Sequence, residues 1–162
     1  MKIEIICIGS LKKPYLREAE SDYLKRLAPY CKIRVTELRE AKLPKNAGRA
    51  EEETVRAREG EALLVAAEKQ SSATFLIALD MRGKQQSSEI FAETLERFSI
   101  EGKGSLVFLI GGSLGLSDTV RKKADDLLSL SDMTFPHQLT RIILLEQLYR
   151  AHKISRGEVY HK

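Results

Sequence analysis

Two turns in the last third of the chain carry the residues best suited to hold a small molecule. An apolar run at residues 106–110 ends in the turn Gly111-Gly112-Ser113-Leu114-Gly115, and a second turn covers residues 130–136. Glycines between a strand and a helix let backbone N–H groups approach a ligand at the start of the helix. Two strand, loop and helix units this close in sequence therefore predict one small-molecule site made by both turns.

The glycine turn does not complete a known phosphate-binding motif. It lacks the third-residue glycine of G-x-G-x-x-G, and too little sequence follows it for a dinucleotide half-domain. No Gly-Lys-Ser/Thr follows it either, which excludes a P-loop. A glycine turn that only closes a loop is an alternative interpretation that spacing alone leaves open.

A second group of candidate residues lies near the C-terminus. From Arg141 to Lys162 there are five Lys or Arg residues against two Glu residues, a bias that suits a phosphate-rich ligand and equally a solvated helix face. Tyr160 and His161 stand in a segment without a pattern of its own, where an aromatic ring can stack on a base. The candidates for binding or proton transfer are His137, Arg141, Tyr149, Arg150, Tyr160, His161 and Lys162. His137 could instead cap or pack a helix, and Arg150 could form a solvated salt bridge.

Alternating strands and helices are predicted to position these residues. Hydrophobic periodicity indicates strands at residues 2–8, 33–38, 74–79, 106–110 and 129–134, and helices at 14–27, 50–68, 87–98, 117–128 and 137–154. This order is typical of an α/β fold with a mostly parallel sheet of about five to six strands, covered by helices on both faces. Ligands of such sheets bind beyond the carboxyl ends of the strands, where loops 79–84, 111–116 and 130–136 would meet.

Composition limits the class of protein. A chain of 162 residues, 43% hydrophobic and 31% charged, fits one domain, and it contains no apolar run of membrane-spanning length. The apolar N-terminus alternates like a strand and includes Glu4, so we do not interpret it as a targeting signal. Cys7 and Cys31 have no metal-ligand spacing and are predicted to be core thiols in a reducing cytoplasm. The net charge of +4 permits an RNA partner without requiring one.

Two further segments have predicted roles. Residues 39–48 are polar, contain Pro44 and Gly48, and are expected to form a mobile surface loop. The last helix is apolar on more than one face, which predicts that it is shared with a second copy of the chain in a homodimer.

Three segments together resemble a known family. FLIGGSLGLS, LSLSDMTFPHQLTRIILLEQLYRA and the closing RGEVYHK are similar, in this order, to the small ribosomal RNA large subunit methyltransferase H family of SPOUT (alpha/beta-knot) methyltransferases, and the resemblance covers essentially the whole chain. It implies a homodimeric cytoplasmic enzyme that uses S-adenosylmethionine, and no metal, to methylate N3 of a pseudouridine in 23S ribosomal RNA on the assembled ribosome. It also implies a C-terminal trefoil knot, which neither periodicity nor spacing indicates.

The resemblance also assigns site residues. It implies that the cofactor lies against Leu79, Gly111, Leu130, Ser131, Asp132, Met133, Thr134 and Phe135. An adenine needs an apolar slot and backbone hydrogen bonds, which these residue types can supply, although plain core packing would also explain Leu130, Met133 and Phe135. The catalytic residues are expected to be Arg150, Tyr160, His161 and Lys162.

Two other classes of function stay open at this point. A non-catalytic ribosome-binding or assembly factor would use the basic helix and C-terminal segment alone. A nucleotide-binding oxidoreductase would need a dinucleotide site, which the incomplete glycine pattern disfavours.

Overall fold

The computed structural model describes residues 1–70, 74–101 and 105–160. Strands and helices alternate in these residues: β1 (Lys2–Ile8), α1 (Pro14–Leu27), β2 (Lys32–Leu38), α2 (Arg49–Glu68), β3 (Thr74–Gln85), α3 (Ser88–Ile100), β4 (Ser105–Ile110), α4 (Asp118–Lys123), β5 (Asp126–Ser129) and α5 (His137–Ser155). The strands form a five-stranded sheet in the order β2-β1-β4-β3-β5, and every pairing is parallel. The predicted α/β fold class is confirmed.

Helices cover both faces of the sheet and bury two apolar clusters. One cluster joins α1, α3 and α5 to the sheet through Leu27, Phe91, Leu95, Phe98, Leu144, Leu145 and Leu148. The other joins α2 and α4 through Leu63, Leu64, Ala67 and Val120. β4 lies at the centre with five of its six residues buried, as expected for a strand covered on both faces.

Local sequence signals fix most element boundaries. Pro14 stands in the first turn of α1, where its missing N–H costs no helical hydrogen bond. Ser87 and Ser117 cap α3 and α4, and each side-chain oxygen accepts a hydrogen bond from a backbone N–H of the first turn, at 3.3 Å in both cases. Ser87 and Ser117 are therefore the N-caps of these two helices.

The predicted boundaries around β5 were wrong. α4 ends at Lys123, and the strand covers Asp126–Ser129 instead of residues 129–134. Leu127 and Leu128, which the predicted helix over residues 117–128 includes, lie in this strand and pair with β3. Asp125 starts the pairing, since its carboxylate accepts from the Leu76 N–H and its own N–H donates to the Leu76 carbonyl. The segment forms a strand because it pairs with β3, some 50 residues earlier in the chain. Helical spacing in the sequence could not reveal this contact.

β3 is longer than predicted because it contacts β5 twice. Leu128 pairs with Leu79 and also with Lys84, so the register of the two strands shifts between those two residues of β3. The backbones are in close contact there, because a Cβ added to Gly83 would lie 2.5 Å from the Leu127 carbonyl carbon. Residues 80–84, expected to form a loop, therefore belong to an irregular extension of β3. The knot implied by the resemblance stays a prediction.

Two composition-based expectations can also be compared with the structure. Cys7 and Cys31 are buried free thiols, as expected of core cysteines, and burial raises the pKa of each to about 11. Within the described residues no helix combines the length and the apolar character needed to cross a membrane.

Candidate cofactor cavity and C-terminal cluster

A cavity of about 1000 Å³ opens at the carboxyl ends of β3, β4 and β5. Its walls come from the three segments that were predicted to meet there. These are the irregular part of β3, the glycine turn after β4 and the turn after β5. Seven of the eight residues assigned to the cofactor line it: Leu79, Gly111, Leu130, Ser131, Met133, Thr134 and Phe135. Asp132 is not among the lining residues, because its carboxylate turns away and accepts a hydrogen bond from the Gln85 side chain.

The glycine turn is tight because its own backbone folds back on itself. The Gly115 N–H donates to the Gly112 carbonyl at 3.0 Å, and Gly115 has a φ of +76°, which favours glycine. A Cβ at Gly111 would lie 2.8 Å from the Gly115 carbonyl carbon. A side chain at residue 111 would therefore displace the turn that forms one wall of the cavity.

Serine and methionine side chains shape the opposite wall. The Ser131 Oγ accepts from the Met133 N–H at 2.9 Å, which closes a local turn, and the Ser129 hydroxyl donates to the Ser131 carbonyl at 3.1 Å. Met133 is 73% exposed and Met81 is 59% exposed, so two flexible apolar side chains stand at the cavity mouth. Core packing, the alternative explanation for Met133, is excluded by this exposure.

Three arginines line the cavity, and sequence reasoning did not single out any of them. Arg56 donates from Nε to the Leu114 carbonyl at 3.1 Å and also pairs with Glu53. Arg121 pairs with Asp80 at 3.4 Å, and Arg82 reaches Asp118 at 3.5 Å. Arg121 follows the Ser117 cap by one turn, so its position near the glycine turn could have been predicted from the sequence. Nothing in the sequence relates Arg56 on α2 to the glycine turn.

The start of α5 reaches the cavity through His137. Its Nε2 lies 3.6 Å from the Glu40 carboxylate, and Pro136, not a polar side chain, occupies the cap position. Arg141, one turn later, is only 2% exposed and pairs with Glu37 at 2.8 Å and Glu20 at 3.1 Å. Arg141 was a candidate for binding or proton transfer, but it is buried against two carboxylates and therefore cannot contact a ligand at the surface.

Tyr160 and Arg150, two of the four expected catalytic residues, lie together at the far end of α5. The Arg150 guanidinium lies 4.9 Å from the centre of the Tyr160 ring, and the Tyr149 and Tyr160 rings form an edge-on contact with centroids 4.9 Å apart. The Glu146 carboxylate accepts from Arg150 Nε at 3.0 Å and from the Tyr160 hydroxyl at 3.2 Å. We call Glu146, Tyr149, Arg150 and Tyr160 the C-terminal cluster. His161 and Lys162 lie outside the described residues.

The C-terminal cluster is chemically constrained by these contacts. Partial burial, together with its hydrogen-bonded and acidic surroundings, raises the pKa of the Tyr160 hydroxyl to about 12. The hydrogen bond to Glu146 raises the pKa of Arg150 above its already high value. Both groups therefore stay protonated at neutral pH, as hydrogen-bond donors.

The C-terminal cluster is distant from the cavity of the same chain. His137 lines the cavity, and Arg150 follows it by thirteen residues of one helix. At 1.5 Å per residue this separates them by roughly 20 Å. The structure brings seven expected cofactor residues together, but it does not bring Arg150 or Tyr160 to them. No group of three or more acidic, His or Cys side chains suited to a metal ion occurs in the part of the chain that the structure describes.

Comparison with known proteins identifies relatives along the whole chain. The family model described as a predicted SPOUT methyltransferase matches residues 1–161. Proteins named "Ribosomal RNA large subunit methyltransferase H" from Bacillus cytotoxicus, Bacillus thuringiensis and Bacillus anthracis are each 51% identical over 162 residues, which is 100% of this chain and 100% of theirs.

Proposed function

Since this chain belongs to the SPOUT methyltransferase family, we propose that it is an RNA methyltransferase that acts on N3 of a pseudouridine in 23S ribosomal RNA. In this proposal a single domain uses S-adenosylmethionine as methyl donor and acts in the cytoplasm, as a homodimer, on the assembled ribosome. The observation that carries the proposal is the cavity at the carboxyl edge of the sheet, together with relatives whose names state an activity on ribosomal RNA.

The residues that line the cavity support S-adenosylmethionine as the proposed cofactor. Leu79, Leu130 and Phe135 offer an apolar slot for an adenine, and the glycine turn leaves room where a Cβ at Gly111 would collide. Backbone N–H and C=O groups of the two turns supply the hydrogen bonds that orient such a ligand. When bound there, the cofactor supplies an electrophilic methyl group on a sulfonium.

The proposed site must also stabilise the negative charge that develops on the target base. N3 of a uracil-type ring is a weak acid, and negative charge spreads to the flanking oxygens as its proton leaves. Protonated donors beside the ring stabilise that charge, a role that we assign to Arg150, Lys162 and the Tyr160 hydroxyl. The aromatic face of Tyr160 holds the base by stacking, and His161 contacts the base or a phosphate.

The two halves of this site belong to different protomers in our proposal. Roughly 20 Å along α5 separates Arg150 from the cavity of its own chain, which is too far for one base to contact both. A homodimer packed through α5 brings the C-terminal cluster of one protomer to the cavity of its partner. The predicted dimer is thus a requirement of the chemistry, because a monomer would hold cofactor without a base-binding group.

Two measurements test the proposed function. Calorimetry should detect S-adenosylmethionine binding to the purified chain, and incubation with ribosomes and labelled cofactor should place one methyl group on a pseudouridine, located by mass spectrometry. Ribosome binding without cofactor heat or methyl transfer would contradict the proposal and favour a non-catalytic ribosome-binding factor.

A substitution at Gly111 links the cavity to the activity. Gly111→Ala would place a methyl group 2.8 Å from backbone atoms of Gly115, so we expect cofactor affinity to fall about tenfold or more. Gly48→Ala is the matched control, since its Cβ would meet only the flexible end of the Glu51 side chain at 3.1 Å. Equal cofactor affinity in the two variants would show that the glycine turn does not contact the cofactor.

A further inference from the structure

One segment beside the cavity has cations that are not neutralised. Residues 39–49, which we call the basic loop, contain Arg39, Lys42, Lys45 and Arg49, and all four side chains are exposed. None of the four forms an ion pair with any acid in the described ranges 1–70, 74–101 and 105–160. The acid in this loop, Glu40, pairs with Lys12 instead, and its carboxylate lies 3.6 Å from His137 Nε2.

The other basic groups near the site differ in this respect. The three arginines that line the cavity each pair with an aspartate or glutamate. On α5, Arg141, Arg150 and Lys153 also pair with carboxylates, although these residues gave the C-terminal bias of positive charge in the sequence. Unpaired positive charge is therefore found on the basic loop, whereas these three cations of the last helix are paired.

The basic loop is fixed to the wall of the cavity at two points. The Ala41 N–H donates to Glu59 Oε1 at 3.0 Å, and the other oxygen of this buried carboxylate would lie 2.8 Å from a Cβ on Gly112. Glu59 is thus hydrogen-bonded to the loop and packs closely against Gly112 of the glycine turn. The neighbouring Glu40 lies against His137, which lines the cavity from the side of α5.

The rest of the loop has a defined backbone. The Ala47 N–H donates to the Pro44 carbonyl at 3.2 Å, and the Gly48 N–H donates to the Glu51 carboxylate at 3.0 Å. These bonds hold the two lysines between the Glu59 anchor and the start of α2. The segment was expected to be a mobile surface loop, and these contacts indicate a surface loop whose ends are anchored.

We propose that the basic loop binds phosphate groups of the ribosomal RNA strand that carries the target base; this inference rests on the proposed function. Lysines are point charges that suit phosphates, and phosphate contacts fix the register of a nucleic acid without reading its sequence. The loop flanks the cavity that the target base must approach, so a phosphate held there sets the distance between the base and the methyl donor.

Paired lysine variants test the proposal through salt dependence. Each phosphate that a lysine neutralises adds about 0.7 to 0.9 to the slope of log K against log salt. Lys42→Ala/Lys45→Ala should therefore lower the slope for ribosome binding by about 1.5 and raise the KM for ribosomes roughly tenfold, with cofactor affinity unchanged. Lys69→Ala/Lys122→Ala removes the same charge from exposed positions at the opposite end of α2 and α4, and should change neither quantity.

The outcomes separate this inference from the proposed function. If the wild-type protein binds no cofactor and transfers no methyl group, the proposed function fails, whereas the salt slope still reports on the loop. If the wild-type protein is active and both double variants give the same slope, the loop proposal is wrong and the activity stands.

Crosslinking identifies the partner that contacts the loop. Cys7 and Cys31 are buried, with 3% and 8% exposure, so Lys42→Cys introduces a single exposed thiol for a benzophenone label. Light should then crosslink the protein to 23S ribosomal RNA in intact ribosomes. Crosslinks only to ribosomal proteins, or none in a complex shown to form, would overturn an RNA-binding role.

Discussion

At the scale of single residues, Glu146 organises the C-terminal cluster. One of its oxygens accepts from both Arg150 and Tyr160, so it fixes the guanidinium relative to the ring. Glu146→Gln keeps the size of the side chain but weakens both bonds. Because small displacements of positioned groups can cost about a hundredfold in rate, we expect kcat to fall ten- to a hundredfold with unchanged cofactor affinity.

A control variant separates positioning from stability. Glu68→Gln removes a comparable carboxylate from an exposed pair with Lys123 and should leave kcat unchanged, as surface pairs contribute little. Steady-state methylation of ribosomes and a thermal unfolding curve for each variant make the comparison. If Glu146→Gln kept the wild-type kcat, Glu146 would have no role in the reaction.

His152 gives the stability of the fold a predicted pH dependence. Its ring stacks on Tyr30 at 5.6 Å, and burial, reinforced by the nearby positive charge of Arg156, lowers its pKa below 6.5. The unfolded chain therefore binds a proton more readily than the native chain, so this contribution is complete above pH 6.5 and is lost as the pH falls. The slope cannot exceed about 1.4 kcal/mol per pH unit for one proton.

The comparison with His152→Gln isolates this effect. Burial raises the pKa of Glu20 and Glu59, which gives stability the opposite slope at acidic pH in both proteins. Urea unfolding between pH 7.5 and 5.5 should show a stability difference between wild type and variant that shrinks as the pH falls. A constant difference would mean that His152 titrates normally.

At the scale of secondary structure elements, Gly60 sets the distance between α2 and α4. A Cβ at this residue would lie 2.2 Å from the Ser117 Oγ that caps α4. Gly60→Ala should therefore destabilise the protein by about 1–3 kcal/mol, although alanine favours a helix by about 1 kcal/mol.

A double-mutant cycle tests the cause of this loss. Ser117→Ala removes the cap and should cost about 1 kcal/mol by itself. In the presence of Ser117→Ala, the Gly60→Ala substitution should cost less, because the colliding oxygen is gone. Additive effects in denaturant unfolding, or a more stable Gly60→Ala protein, would contradict close packing at this contact.

Element positions were predictable where the signal is local, and less so where it is not. Strand β4 follows from its continuous apolar run, and the serine caps follow from residue type and position. The extension of β3 and the start of β5 depend on pairing between Leu128 and two residues of β3, Leu79 and Lys84, which periodicity does not encode. The convergence of loops at one sheet edge predicted which segments form the cavity, and the family resemblance supplied the individual residues on the glycine turn and after β5, whereas Arg56 on α2 was missed.

At the scale of the whole molecule, the separation of cavity and C-terminal cluster is the feature with the largest functional consequence. The predicted helix over residues 137–154 already separated Arg150 from the start of α5 by roughly 20 Å, and it indicated a homodimer. The structure adds that the start of this helix lines the cavity through His137. Because of this separation, the proposed active site needs residues from both protomers of the proposed dimer.

Heterodimers made from two inactive chains test this account most directly. One chain carries Gly111→Arg, whose large side chain should abolish cofactor binding because a Cβ alone would already lie 2.8 Å from Gly115, and the other lacks residues 160–162. Coexpression with two tags isolates the mixed dimer. If the sites are shared, this dimer contains one intact site and should methylate ribosomes at about half the wild-type rate, although each homodimer is inactive. A dimer of wild-type chain with a chain carrying both changes should then be inactive. An inactive first heterodimer together with an active second one would contradict the account, because it would place the whole site within one chain.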